Sequence, residues 1–487
     1  MREGADDLDI SPAGDYVILF WNRTRWFVPL LVCTSLLSAA QNRSSTGLET
    51  SGNQTREPLA VDSRIAAALQ QVSPERIREN IEKLVSFGTR LTISPQDPAA
   101  IGSGRGAGAA REWIKSEFGR YAQDCGGCLE VKTDTFIEPA GDRIPQPTEI
   151  TNVYAVLKGT DPENAKRIVL VTGHYDSRNS DTLDVKGDAP GANDDGSGTA
   201  VSLECARVLS KLKFPATIIF LTVAGEEQGL NGSHHFAKMA RDQGWDIEAV
   251  LNNDIVGGDK SPEQDHGVVR VFSEGLPAAA SEQDVRRIRG LGGESDSASR
   301  QLARYIFDVG AAYEAGVKPM LIFRLDRYLR GGDHYSFNQQ GFAAVRFTEL
   351  REDFHHQHQN VRTESGVAYG DLAKFVDFDY VARVARLNAA TLASLASAPA
   401  PPANVLILAK DLENDSTLTW GSSPAGLASS YEILWRATTS PEWEHVEKAG
   451  NVTRTTLKLS KDNVIFAVRA VDAQGHRSLP VVPVPER

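Results

Sequence analysis

Four short apolar runs, residues 168–172, 217–223, 247–253 and 343–348, punctuate the middle of the chain. They are rich in β-branched residues and lack polar alternation, which predicts strands buried on both faces. Between the first two the period changes. From about Ser197 onward, Val201, Cys205, Val208, Leu209 and Leu212 fall on one face of a helix. Residues 64–121 read as helical. Ser73 and Pro74 suit an N-cap followed by proline at the first helical position, and residues 111–118 predict a further helix. The glycine-rich residues 102–108 follow no strand and read as a loop. Strands alternating with helices predict an α/β domain.

The two ends of the chain are patterned differently. Residues 1–16 are acidic and polar. Residues 21–26 carry two tryptophans and two arginines, residues 27–37 are apolar, and Ser38, Ala39 and Ala40 are small. This predicts an acidic tail and signal-like segment over 1–40, an exported protein, and no stable membrane insertion once the signal is removed. The alternative is anchoring by an uncleaved N-terminal segment. Residues 41–60 are polar and predict a disordered linker. At the other end, the Pro/Ala-rich residues 396–403 predict a semi-rigid linker between a domain over 61–395 and one over 404–487. There Leu418 and Trp420, then Tyr431, Ile433 and Trp435, then Phe466, Val468 and Ala470 alternate with polar residues, as half-buried strands do. This segment resembles a fibronectin type III domain, a small all-β sandwich. Its role is either to bind a partner or to space and stabilise the rest. Trp435 reads as core, and Trp443 is the candidate for a surface patch.

The chain has 487 residues, too many for one core. Its net charge of −12 excludes nucleic acid as an expected partner. Cys125 and Cys128, with two glycines between them, stand ahead of a strand-like stretch. No further ligands are spaced for a zinc knuckle and no helix follows for a thioredoxin-type site, so a structural disulfide in an oxidising compartment is the expectation. Cys205 lies on the apolar helix face and reads as buried.

The candidate chemistry sits just past the predicted strands. His174 closes the first, in Gly173-His174-Tyr175-Asp176-Ser177. Asp194 lies in the turn Gly191-Ala192-Asn193-Asp194-Asp195-Gly196-Ser197-Gly198. Glu226 and Glu227 follow the second, in Gly225-Glu226-Glu227-Gln228-Gly229-Leu230, and Asp254 closes the third. Singly, each is an ordinary turn. Together they are imidazole and carboxylate ligands at strand ends, where open α/β sheets bind ligands. Two zinc ions about 3.5–4 Å apart can share one carboxylate and activate a water. Of two adjacent acids after a strand, one can ligate while the other serves as general base. Asp176 is placed to accept the second ring N–H of His174.

These motifs, with Gly232-Ser233 and Asn253-Asp254, resemble the aminopeptidase S and aminopeptidase Y family of two-zinc exopeptidases. The resemblance covers roughly residues 64–393. It implies a mixed, mostly parallel sheet flanked by helices, two Zn2+ ions, and peptide or protein N-termini as substrate. It also implies a cis peptide at Asp194–Asp195 and an opening helical segment, residues 60–91, packed across the sheet edge. His174, Asp194 and Asp254 would hold one ion, Asp194, Glu227 and His356 the other, and Glu226 would be the catalytic base. At the last ligand the chain departs from the family: His355 replaces a tyrosine and Asn360 an acid. His355, His356 and His358 therefore compete, and the downstream spacing selects His356. Gly332-Asp333-His334 stands where the family has a supporting Ser-Asp-His, so Asp333 is expected to support the site by a hydrogen bond. His234 and His235 read as non-ligands. The expected function is an exported zinc-dependent aminopeptidase. The alternatives are glutaminyl cyclase-like or carboxypeptidase chemistry on the same fold, or a catalytically silent binding module.

Overall fold

The computed structural model describes residues 58–410 and 412–486. The tail and signal-like segment, and most of the 41–60 linker, lie outside the described residues. The main sheet has eight strands: β1 (Leu129–Glu138), β2 (Thr148–Leu157), β3 (Arg167–His174), β4 (Thr217–Val223), β5 (Asp246–Asn253), β6 (Val268–Ser273), β7 (Lys318–Ile322) and β8 (Ala344–Glu349). Their order is β1-β2-β4-β3-β5-β8-β6-β7. The central four, β4, β3, β5 and β8, are parallel. β1 and β2 add antiparallel at one side, and the parallel pair β6 and β7 joins β8 antiparallel at the other. The sheet is thus mixed and mostly parallel, as expected.

The helices are α1 (Ser63–Leu69), α2 (Pro74–Val85), α3 (Pro98–Gly102), α4 (Ala107–Asp124), α5 (Gly196–Leu209), α6 (Glu226–Gly229), α7 (Asn231–Asp242), α8 (Glu282–Gly290), α9 (Ala298–Ala312), α10 (His334–Gln339) and α11 (Phe378–Ser397). Every residue of β3 and β4 is buried. The two-residue period sends Val169, Val171, Ile218 and Phe220 to one face, where they meet Val201, Cys205 and Val208 of α5. Leu170, Ile219 and Leu221 go to the other, against Phe236 of α7 and Phe337 of α10. Ser73 caps α2 by accepting from the Arg76 amide. α1 and α2 rest on α5 and α11, which themselves pack on β3. They form an outer helical layer and do not cross the sheet edge, which corrects that expectation.

After β8 comes a small hairpin, β9 (Arg362–Glu364) with β10 (Val367–Tyr369). Beyond α11 follow β11 (Ala403–Leu408), β12 (Ser416–Gly421), β13 (Ser430–Ala437), β14 (His445–Gly450), β15 (Arg454–Leu457), β16 (Val464–Val471) and β17 (Val484–Glu486). They make two sheets, β15-β12-β11-β17 and β14-β13-β16. Leu418, Trp420, Ile433, Trp435, Phe466 and Val468 from both sheets form one core, so this is a sandwich.

Two expectations about this end are corrected. β13 and β16 are not half-buried: residues 431–436 and 466–471 are buried on both faces. The outer face docks near α9. Arg436 Nη2 donates to both oxygens of Asp296 at 2.7 and 2.8 Å, and Arg304 Nε donates to the Pro441 carbonyl at 2.6 Å. Trp443 is no surface patch, since it is buried and its Nε1 donates to Gln301 Oε1 at 3.1 Å. The Pro/Ala stretch is likewise held in place. Its first residues complete α11, Arg167 donates to the Ala398 carbonyl, and Ser423 Oγ donates to the Ala400 carbonyl. Cys125 and Cys128 form a disulfide after α4, and Cys205 is buried. Among the described residues no helix is long and apolar enough to cross a membrane.

Candidate metal centre

The carboxyl ends of β3, β4 and β5 deliver the cluster. His174 is the last residue of β3, Asp254 follows β5, and Glu226 and Glu227 open α6 just after β4. Gly225, at φ +78°, makes the turn between β4 and that helix. Asp194 immediately precedes Asp195, the N-cap of α5. The sequence needs glycine at 173 because a Cβ there would fall 2.4 Å from the Gly198 carbonyl carbon, where α5 starts against β3.

His174 Nε2 lies 3.1 Å from Asp194 Oδ1 and 3.9 Å from Asp254 Oδ1. The other oxygen of Asp194 lies 2.9 Å from His358 Nε2, which is 3.1 Å from Glu227 Oε1. Two potential metal-binding triads, His174–Asp194–Asp254 and Asp194–Glu227–His358, therefore share Asp194.

His356 does not join either triad. Its Nδ1 sits 2.5 Å from Asp259 Oδ2, and its ring stacks on Phe375 with centroids 3.6 Å apart. His355 is exposed and pairs with Asp353. The cause is the shape of the loop. The amides of His356 and Gln357 both donate to the Asp353 carbonyl, closing a turn, and the chain leaves it through His358 in the left-handed region at φ +54°. This puts His358, two residues on, at the cluster. Gln357 between them donates to Asp194 Oδ2 at 2.9 Å. Asn360, where an acid was expected, accepts from the Ser180 amide and hydroxyl.

A shell of hydrogen bonds aims these groups. Asp176 is near His174 Nδ1, through both its carbonyl at 3.2 Å and its carboxylate at 3.4 Å. Its carboxylate does more than expected, accepting from the Glu226 and Glu227 amides and from Thr92 Oγ1. Asp195 accepts from the His174 amide and caps α5 through the Gly198 amide, both at 2.9 Å. The Asp194–Asp195 peptide is cis, as the resemblance implied. Asp371 accepts from the Asn193 and Asp194 amides, at 2.7 Å for the latter. Buried Arg90 donates to the carbonyls of Tyr175, Pro190 and Gly191, tying the two ligand loops together.

Two further arginines touch the ligands. Arg346, fully buried on β8, brings Nη2 within 2.9 Å of Asp254 Oδ1 and Nη1 within 3.1 Å of Asp326. Arg178 Nε donates to Glu227 Oε2 at 2.8 Å, with Nη2 2.5 Å from His358 Nδ1. The supporting roles of Asp195, Asp371, Arg90, Arg178 and Arg346 are not among those expected from the sequence. Only Asp195, an acid at the start of a predicted helix, carried a readable signal. Asp333 is fully buried, but neither carboxylate oxygen makes a hydrogen bond within the protein, so the expected supporting bond is not made. His235 pairs with Asp134 and His234 with Gln339, away from the ligands.

The electrostatics are those of a carboxylate cluster waiting for positive charge. Burial raises Glu226 well above the ordinary carboxylate range; His174 opposes this and Asp254 and Glu227 add to it. Burial also raises Asp254, against the pull of Arg346, and lifts Asp333 to about 7. At His174 burial works against the charged ring, yet Asp176 and Asp194 overrule it and hold its pKa well above normal. Asp194 goes the other way: burial is outweighed by His358 and His174, which keep it well below the usual range. His174 Nε2 is buried with no hydrogen-bond partner in the protein, although it faces two carboxylates. An orphaned imidazole nitrogen among buried acids fits zinc, which takes imidazole and carboxylate ligands and would reverse the charge imbalance. The cluster opens into a cavity of about 300 Å³.

Residues 152–376 match the family model described as Peptidase family M28. A "Probable zinc metalloprotease" of Pyrenophora teres f. teres is 45% identical over 457 residues, covering 93% of this chain and 92% of that protein. One of the same description from Pyricularia oryzae is 47% identical over 434 residues, covering 87% and 85%. Among solved structures, the LapA aminopeptidase of Legionella pneumophila aligns with a TM-score of 0.48 at 20% identity, over 70% of this chain and 75% of that one.

Proposed function

The chain belongs to peptidase family M28 and is a zinc metallopeptidase; on that premise we propose that it is an exported aminopeptidase working with two zinc ions. His174, Asp194 and Asp254 hold one ion. Asp194, Glu227 and His358 hold the other. His358 replaces His356 in this reading because it alone of the three late histidines reaches Asp194 and Glu227. The observation that carries the proposal is the orientation of Asp194, one oxygen toward each histidine.

Two zinc ions there would supply Lewis acidity and activate a water for attack on a peptide carbonyl. Glu226 is the general base. It lines the cavity, belongs to neither triad, and is aimed by the bond from its amide to Asp176. Its carboxylate takes the water's proton and delivers it to the nitrogen of the leaving amine. Arg178 donates to Glu227 and Gln357 donates to Asp194, orienting these two carboxylates as outer partners of ligands do.

Export rests on the signal-like pattern of residues 27–40 and agrees with the Cys125–Cys128 disulfide. The sandwich of residues 404–487 is, in this proposal, a fibronectin type III-like domain whose role is to cover α9 and stabilise the peptidase domain. The test is release of arylamine from a leucyl-arylamide by purified protein, with and without chelator and with the N-acetylated substrate as control. The proposal expects chelator-sensitive release from the free amine only. Equal cleavage of the acetylated substrate would overturn the aminopeptidase reading.

A further inference from the structure

Four arginines line the cavity beside the ligand cluster: Arg143, Arg178, Arg327 and Arg330. They arrive from separate parts of the chain. Arg143 lies between β1 and β2, Arg178 follows β3, and Arg327 and Arg330 precede α10. Two are fully engaged. Arg178 serves Glu227 and His358, as above. Arg327 reaches Asp326, Glu352 and the Gly331 carbonyl. The other two keep donors to spare. Arg143 is exposed, donates one hydrogen bond, to the Glu227 carbonyl at 3.0 Å, and makes no ion pair among the described residues. Arg330 uses one nitrogen, at 2.6 Å from Glu352, and its side chain is 32% exposed. Glu352 is shared further with Arg327 and Arg270.

The acids of the cavity wall are Asp194, Glu226, Glu227 and Asp254, all assigned to the metal site. Two divalent ions balance those carboxylates. What is left is the guanidinium charge of the four arginines, with two carboxylates, Asp326 and Glu352, set against it and both shared with further arginines. A guanidinium offers five N–H donors in a fork that fits a carboxylate bidentately, and pairing is strongest where water is partly excluded.

We infer that the cavity binds a carboxylate of the substrate in addition to the bond being cut, with Arg143 and Arg330 as its contacts, so that the substrates are acidic peptides. This rests on the aminopeptidase reading. The carboxylate has two sources: the side chain of an N-terminal glutamate or aspartate, or the free C-terminus of a short peptide.

The test uses the zinc-loaded full chain and compares kcat/KM for glutamyl- and glutaminyl-arylamide, which differ only in charge, and for leucyl-leucine and its C-terminal amide. Leucyl-arylamide is the reference. The inference expects glutamyl over glutaminyl, or free acid over amide, by about tenfold or more, the range of a charge-assisted hydrogen bond. Which pair shows the preference identifies the source. Arg143→Met and Arg330→Met should each shrink that ratio severalfold, and the Arg→Lys variants should shrink it less. Cleavage of leucyl-arylamide with no preference in either pair overturns the inference and leaves the aminopeptidase reading standing. A preference untouched by the arginine variants overturns the assignment of the contacts. No cleavage of any substrate overturns both readings.

Discussion

His174 and His358 approach Asp194 from its two oxygens, but they stand on different foundations. His174 ends a strand buried along its whole length, its amide is fixed by Asp195, and its side chain is 1% exposed. His358 sits in a loop after β8, in a left-handed backbone conformation, held by the Arg178 side chain, and its side chain is 24% exposed. One half of the site takes its geometry from sheet register, which the whole core maintains. The other takes it from a few side-chain contacts. Local opening free energies follow contact density and exposure, so the loop half is the softer one.

The comparison breaks most completely where the halves join. Asp194→Ala removes the shared carboxylate, so metal content by elemental analysis should fall to near zero and turnover should vanish. Retention of a full equivalent would show that one half is self-sufficient. Glu226→Gln belongs to neither half. It should lower kcat by about 10² to 10⁴ with metal content unchanged, and loss of metal in that variant would make Glu226 a ligand. Smaller effects separate the halves. Arg178→Met should weaken metal binding about 10- to 100-fold in the loop half only, seen as one weakened and one unchanged step in a chelator titration. Two steps shifting together would contradict the division.

The smallest effect lies away from the site, where His476 of the sandwich pairs with Asp472 at 2.7 Å and faces Asp62 at 3.4 Å. The hydrogen bond to Asp472 raises its pKa, against the pull of burial. A group raised on folding stabilises fully below its unfolded value, about 6.5, and that contribution is lost as pH rises through the folded value. The melting temperature of His476→Gln should therefore trail the wild type at pH 5 and converge with it at alkaline pH. A gap that widens with pH would reverse the sign.

The same contrast explains what could be read from the chain alone. β3 and β4 were legible because buried parallel strands are unbroken apolar runs, and His174, Glu227 and Asp254 were legible because they follow such runs at a fixed place. His358 was not, since the loop of residues 353–360 has no period and three histidines stand within four positions. Its turn at Asp353 and the left-handed residue 358 decide which one faces the site. Asp371 and Arg346 meet the cluster only through tertiary packing, from residues far along the chain from Asp194 and Asp254. β13 and β16 alternate in sequence like half-buried strands, yet the polar side is also covered, because Arg436 is partnered by Asp296 and Glu432 by Arg469 and Arg477. A polar pattern states that a face needs hydrogen-bond partners, and water is only one of them.

The most direct test is the zinc content per chain of purified protein, measured together for the wild type, His358→Ala and His356→Ala. Two equivalents in the wild type, about one in His358→Ala and two in His356→Ala are predicted. One equivalent in the wild type, or loss in His356→Ala with retention in His358→Ala, would contradict a two-ion site joined by Asp194 and closed by His358.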